Sequence, residues 1–207
     1  MAPLLSSLNT YLYNRQQVKL NSPLSVVFNV TSGVPQGSHL GPLLFSLFIN
    51  DLIDSLSSST LLFADDMKLY RQINSSQDLI ILQIDLNTIF NWCLRNNMYL
   101  NIAKCYFMRF SRLIKPVPAQ YHINNTDLSQ VSVIKDLGVY LDNKLTFTEH
   151  CNIVIDRANR MLGFIKRGSR DFKNIFAVKT LYTSLVRPIL EFSNIIWSLL
   201  GGTCIPP

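Results

Sequence analysis

The stretch SSQDLIILQIDLNTIFNWCLRN, residues 75–96, does more than any other to limit how this chain folds. At about 100° per residue, Leu79, Leu82, Leu86, Ile89, Phe90, Cys93 and Leu94 share one helical face, with Asp85, Thr88, Asn91 and Arg95 off it. Ser75 or Ser76 suits the N-cap, and Asp78 places a negative charge in the first turn, where the helix dipole favours it. A helix with one apolar face has to cover something, most simply a sheet.

Strand candidates lie on both sides of it. Residues 16–20 and 25–30 read as strands around the turn signal Asn21-Ser22-Pro23, and residues 3–13 suit a short helix. The Gly/Pro-rich SGVPQGSHLGP, residues 32–42, is a loop, and a helix should follow to about Leu52 with Pro42 in its first turn. After a turn at 55–60, residues 61–63 and 67–70 read as short strands with Ala64-Asp65-Asp66 between them. Residues 99–102 and 105–110 look extended around Ala103-Lys104, Pro116 and Pro118 mark a loop, and 131–134 and 138–141 are strands joined by Lys135-Asp136-Leu137. Beyond Asn143 only helices are expected. The first is capped by Thr148, with Ala158, Leu162 and Ile165 on one face and Arg157, Arg160 and Arg167 opposite. The second covers 174–186 and is ended or kinked by Pro188. The class is α+β, with a boundary near Asn143.

Composition narrows the partners. Hydrophobic residues at 48% against 15% charged argue for a real core and against disorder, and hint at apolar surface meant for a further segment. The net charge of +6 permits a polyanionic partner. Between Arg157 and Lys179, seven basic residues face one acid, Asp171, an excess as large as that of the whole chain. That segment is either a solvated face or a phosphate-binding one. Cys93, Cys105, Cys151 and Cys204 have no paired spacing for zinc; Cys93 and Cys151 fall on apolar stripes, as buried thiols of a reducing compartment do. His39, His122 and His150 are scattered and read as structural or surface residues. The first fifteen residues lack the basic start and long apolar stretch of a secretory signal, and no run approaches the ~18 apolar residues of a membrane span.

The adjacent carboxylates of Phe63-Ala64-Asp65-Asp66 are either an acidic turn or part of a metal site. Adjacent residues in a straight strand face opposite ways, so a shared site needs a tight turn here. The surrounding residues bear on the choice. SGVPQGSHLGPLLFSLFINDL, FADDMKLY, LNIAKC, KDLGVYLDNKLTF, RANRMLGFIKR and LYTSLVRPILEF run through nearly the whole chain in one order. Together they resemble the reverse transcriptase of non-long-terminal-repeat, LINE-type retrotransposons, close to jockey-like elements.

That resemblance implies a right-hand polymerase that copies RNA into DNA with magnesium. Residues 1–143 would be a partial palm, an antiparallel sheet with packed helices, and 144–207 a truncated helical thumb-like or connection region. It implies catalytic and metal-binding roles for Asp65 and, more weakly, Asp66. Magnesium takes hard oxygen ligands, usually one or two carboxylates with phosphates and waters. Pro35, Gln36 and Gly37 would lie along template and incoming nucleotide, where glycine lets backbone approach closely. The helix start that follows offers N–H groups to phosphate oxygens. Lys104 would stand near the pyrophosphate leaving group as a proton donor; otherwise it is a surface lysine. Leu137, Gly138 and Val139 match the primer grip, and Arg157, Arg160 and Arg167 the thumb that follows duplex phosphates.

The family's other catalytic aspartate lies on a strand before the SGVPQG loop, yet no Asp or Glu occurs before Asp51. Asp51, Asp54, Asp85 and Asp142 do not match its position. The expectation is a polymerase fragment, its remainder missing, inactive alone and holding magnesium poorly. Loss of a central strand would also expose sheet edges and favour self-association. The implied partners are RNA template, DNA primer or duplex, and deoxynucleotide, without a membrane, in nucleus or cytoplasm. The alternative is a non-catalytic nucleic-acid-binding remnant, or a decayed transposon relic.

Overall fold

The computed structural model of the chain describes residues 15–16, 24, 26–29, 33–34, 37–111 and 118–198. They divide into two compact units, Met1–Leu100 and Asn101–Pro207.

In the first unit, β1 (Arg15–Gln16) pairs antiparallel with β2 (Phe28–Asn29). The rest of the expected strand at 16–20 and the expected helix at 3–13 lie outside the described residues. Helix α1 (Leu40–Ile53) follows the Gly/Pro loop, with Pro42 in its first turn, where a missing N–H costs nothing. Strands β3 (Ser59–Phe63) and β4 (Asp66–Tyr70) form an antiparallel hairpin, and α2 (Ser76–Arg95) covers it. The core gathers Ile49 and Leu52 from α1 with Ile89, Trp92 and Cys93 from α2. Leu62, Met67 and Leu69 of the hairpin pack against it.

The buried face of α2 is rotated from the one expected. Asp85 and Trp92 are buried, whereas Leu94 is half exposed. The reason is polar: Asp85 bonds to backbone more than 25 residues upstream, which turns the helix toward it. At the start of α2 the expected cap forms, with the Asp78 carboxylate accepting from the Ser75 N–H at 3.0 Å and the Asn74 N–H at 3.1 Å.

The second unit opens on a short 3-10 turn, Ile102–Lys104, which takes up the expected break at Ala103-Lys104 together with Ile102. Strand β5 (Tyr106–Phe107) pairs in parallel with β8 (Ser129–Gln130), and β6 (His122–Ile123) antiparallel with β7 (Thr126–Asp127). Strand β9 (Val133–Asp136) pairs antiparallel with β10 (Val139–Asp142). Among the described residues the strands thus pair two by two, in small sheets. Then come α3 (Thr148–Gly168), α4 (Ile175–Leu181), a π-turn (Tyr182–Val186), α5 (Arg187–Glu191) and α6 (Asn194–Trp197). Pro188 does not stop the helical path. The wide π-turn ahead of it shifts the hydrogen-bond register, and Pro188 falls at the start of α5.

Helix α3 buries Cys151, Val154, Ala158 and Ile165. Leu162, expected on that face, lies half exposed. Thr148 is the first helical residue rather than the cap; no side chain caps α3 at Phe147, and the turn leading into it is held by Asp142. Its carboxylate accepts from the backbone N–H groups of Lys144 (2.9 Å), Thr146 (3.1 Å) and Phe147 (2.7 Å). Burial alone would raise the Asp142 pKa, but these N–H groups outweigh it and hold the carboxyl below its ordinary range. As expected, Cys93 and Cys151 are buried thiols. No helix among the described residues is long and apolar enough to cross a membrane.

His150 on α3 is 2% exposed, and its Nδ1 accepts the Tyr140 N–H of β10 at 3.3 Å. Burial, and then the nearby Arg157, push its pKa below the ordinary 6.5. The unfolded chain therefore takes up a proton first as pH falls. The His150 contribution to stability is full above its ordinary pKa of 6.5 and is lost as pH falls below it. Chemical denaturation across about pH 7.5 to 5 should show this loss, and His150→Gln should flatten it. An unchanged slope in the variant would exclude His150 as its origin.

Candidate functional site

The β3–β4 hairpin sets the geometry around the paired acids. Phe63 pairs with Asp66, so the connecting turn is only Ala64-Asp65. Ala64 carries φ of +52°, and Asp65 is not among the positive-φ residues. Positive φ at the first central position alone is the signature of a type II′ turn, whose twist matches the two strands. Holding a residue with a Cβ in that sparsely populated conformation costs about 1–3 kcal/mol. Asp65 stands at the corner and Asp66 opens β4, both exposed. The turn breaks the strand alternation that would separate them.

Period two decides the rest of the hairpin. The Leu62–Met67 and Thr60–Leu69 pairs face the core. Leu61 and Phe63 face out, with 55% and 61% exposed. The face that Asp66 shares with Phe63 and with the Leu61–Lys68 pair is thus an open one.

Two acids of α2 clamp the foot of the hairpin. Asp85, 2% exposed, accepts from the Ser57 N–H at 3.0 Å through Oδ1 and from the Ser58 N–H at 2.8 Å through Oδ2. The other strand is held by Arg71, just past β4. Its Nε donates to Asp78 Oδ1 at 3.1 Å and its guanidinium to the Ser57 carbonyl at 3.3 Å. The Asn74 N–H, with the Ser75 hydroxyl and Arg71, holds the Asp78 carboxyl below its usual range. Asp85 was read from the sequence as off the apolar face. Its spacing of three from Leu82 and four from Ile89 was the signal that it belongs on it.

The loop before α1 is described in part. Gly37 has φ of +80° with nothing within 4 Å of where a Cβ would stand, so the backbone sign, not crowding, calls for glycine. Pro35 and Gln36 lie outside the described residues. Ser38 Oγ accepts from the N–H groups of Leu40 and Gly41, each at 3.1 Å. Two donors at the start of α1, expected to be open to phosphate, are thus taken up within the loop.

In the second unit, Lys104 ends the 3-10 turn and is exposed. Leu137 and Gly138 form the two-residue turn between β9 and β10, with φ of +44° and +92°, as a type I′ turn requires. Gly138 was expected within the strand. It is needed in the turn both for its φ and because the Phe192 ring lies 2.9 Å from where its Cβ would be. Val139 is buried at the start of β10. Arg157, Arg160 and Arg167 are exposed on α3.

Among the described residues no group of three or more His, Cys, Asp or Glu is placed to hold a metal ion. Asp65 and Asp66 supply hard oxygen donors at one hairpin tip. That donor chemistry fits a divalent cation that shares its remaining ligands with substrate phosphates and water, and does not fit a closed, all-protein cage.

The chain matches the family model for reverse transcriptase (RNA-dependent DNA polymerase) over residues 4–164. It is 31% identical over 210 residues to the probable RNA-directed DNA polymerase from transposon X-element of Drosophila melanogaster, covering 96% of this chain and 23% of that protein. It is 29% identical over 211 residues to the probable RNA-directed DNA polymerase from transposon BS of the same species, covering 96% and 23%. To the RNA-directed DNA polymerase from mobile element jockey of Drosophila funebris the identity is 30% over 190 residues, covering 84% and 20%. The chain thus spans under a quarter of the length of these relatives. No solved structure matches it.

Removing the Asp85 carboxylate leaves two backbone donors unpaired, one of them in the buried Ser58. Asp85→Ala should therefore cost about 2 kcal/mol or more, measured by denaturant unfolding. Asp85→Asn, which keeps one acceptor, should cost less. Equal stability of Asp85→Ala and the parent chain would show that the clamp does not hold the hairpin.

Proposed function

The chain belongs to the reverse transcriptase family, and from that premise we propose that it forms part of the RNA-directed DNA polymerase of a non-long-terminal-repeat retrotransposon. In this reading residues 1–143 are part of the palm and 144–207 a thumb-like region. The observation that carries it is the FADD hairpin, a two-residue turn with Asp65 at its corner, inside a family match that covers residues 4–164.

Asp65, with Asp66 beside it, would hold magnesium. When bound, the ion supplies charge neutralisation for displacement of pyrophosphate by the primer's terminal hydroxyl. The chain's own residues supply position. The clamped foot of the hairpin fixes Asp65, and the Pro35-Gln36-Gly37 segment would run along nucleotide and template. Lys104 would hold a proton for the leaving group. Leu137, Gly138 and Val139 would guide the primer strand. RNA template, DNA primer and deoxynucleotide are the corresponding partners.

Two carboxylates at the hairpin tip leave a pair of metal ions without a bridging ligand, so the chain alone should extend primers little or not at all. A second reading, a nucleic-acid binder without catalysis, is favoured by the exposed Arg157, Arg160 and Arg167 on α3. One experiment addresses both. The purified chain is given an RNA template, a DNA primer, deoxynucleotides and magnesium, with binding followed by anisotropy over a salt series. The expected result is salt-dependent binding without extension. Replacing the three arginines by glutamine should lower the salt slope by about 2 to 3, near 0.9 per phosphate contact. Extension that Asp65→Ala abolishes would overturn the inactivity, and absent or salt-independent binding would overturn the second reading.

A further inference from the structure

Helix α3 carries an aromatic side chain on its solvent face. Phe164 is 63% exposed, although α3 has a well-formed buried stripe on another face. Counting from Phe164, Arg157 is seven residues back, Arg160 four back and Arg167 three ahead. Those spacings put all three arginines on the face of Phe164. Arg167 folds back along the helix, its guanidinium 3.4 Å from where a Cβ on Gly163 would be. Arg160 is steadied by a bond from its Nε to the Asp156 carbonyl at 3.3 Å. Among the described residues none of the three arginines is in an ion pair. The pattern continues past the helix end, where the exposed Phe172 and Phe176 alternate with Arg170, Lys173 and Lys179.

We infer that this face binds single-stranded nucleic acid, with an unpaired base stacked on the Phe164 ring and the arginines on the flanking phosphates. The inference rests on the nucleic-acid reading above and goes beyond it. Arginine charge alone accounts for backbone contact with any duplex and gives an exposed phenylalanine no role. What favours a polyanion over a protein here is charge: between Arg157 and Lys179 seven basic residues stand against one acid, Asp171, an excess that a strand neutralises at every phosphate. A paired strand hides its base faces in the stack. An unpaired strand presents a π-face and a phosphate at every step, which is what alternating aromatic and basic side chains accommodate.

The test compares a labelled oligothymidylate of about twelve nucleotides with a labelled mixed-sequence duplex, both by anisotropy. Phe164→Leu should weaken binding of the strand roughly tenfold and leave the duplex affinity and the salt slope unchanged. Phe164→Trp should retain strand binding and add an indole signal quenched by the strand but not by the duplex. Arg160→Gln with Arg167→Gln should weaken both ligands and lower both salt slopes. Thermal melts confirm that each variant is folded. If Phe164→Leu binds the strand as the parent does while the arginine variant is weakened, stacking is wrong and phosphate binding stands. If the parent binds neither ligand, the underlying nucleic-acid reading fails as well. If Phe164→Leu loses only binding to phosphatidylserine vesicles, the face is a membrane surface and the inference is overturned.

Discussion

A buried carboxylate is costly unless donors meet it. Asp85 is met by two backbone N–H groups at the foot of the hairpin, and the first unit is arranged around that contact. An isolated two-stranded hairpin is marginal in water. This one persists because its inward face lies on the core and its base is tied to α2 on both sides, by Asp85 and by the Arg71–Asp78 pair. The acidic tip inherits its position from the tied base. The turn itself adds little freedom, since two residues close it and Ala64 alone takes the unfavourable φ.

The second unit uses the same device. Asp142 gathers the N–H groups of Lys144, Thr146 and Phe147, which sets where α3 starts and which way it runs from β10. His150, in the first turn of α3, then bonds back to β10 through Tyr140 and packs against the Trp197 ring at 5.6 Å. Polar side chains bonded to backbone outside their own element thus do what apolar contact alone does poorly: they fix rotation and register. The consequence for α3 is a definite outward face, and that face holds Arg157, Arg160, Phe164 and Arg167.

Local chemistry was legible in the sequence. The existence of α1, α2 and α3, the two strands around Ala64-Asp65-Asp66, the cap at Ser75 with Asp78 in the first turn and the buried Cys93 and Cys151 all follow from period, turn residues and caps. What was not legible depends on distant partners. The rotation of α2 toward Asp85 and Trp92 depends on Ser57 and Ser58, and the start of α3 on Asp142 rather than on Thr148. The connection expected at Lys135-Asp136-Leu137 lies instead at Leu137-Gly138, a shift hidden because leucine is not a residue one expects at positive φ, and the π-turn before Pro188 leaves no mark in the pattern. Of the candidate site, the tip acids and the α3 arginines could be placed by such reading. The nucleotide-loop residues Pro35 and Gln36 lie outside the described residues.

Whether the tip of the hairpin holds a cation is best asked of the cation directly. Manganese(II), added to the isotope-labelled chain with a deoxynucleoside triphosphate, broadens the amide resonances nearest to where it sits. If Asp65 is the metal-holding carboxylate, broadening concentrates at Ala64, Asp65 and Asp66 and is lost in Asp65→Asn, while Asp51→Asn and Asp54→Asn leave it in place. Broadening centred on the end of α1, or unchanged in Asp65→Asn, would contradict that assignment.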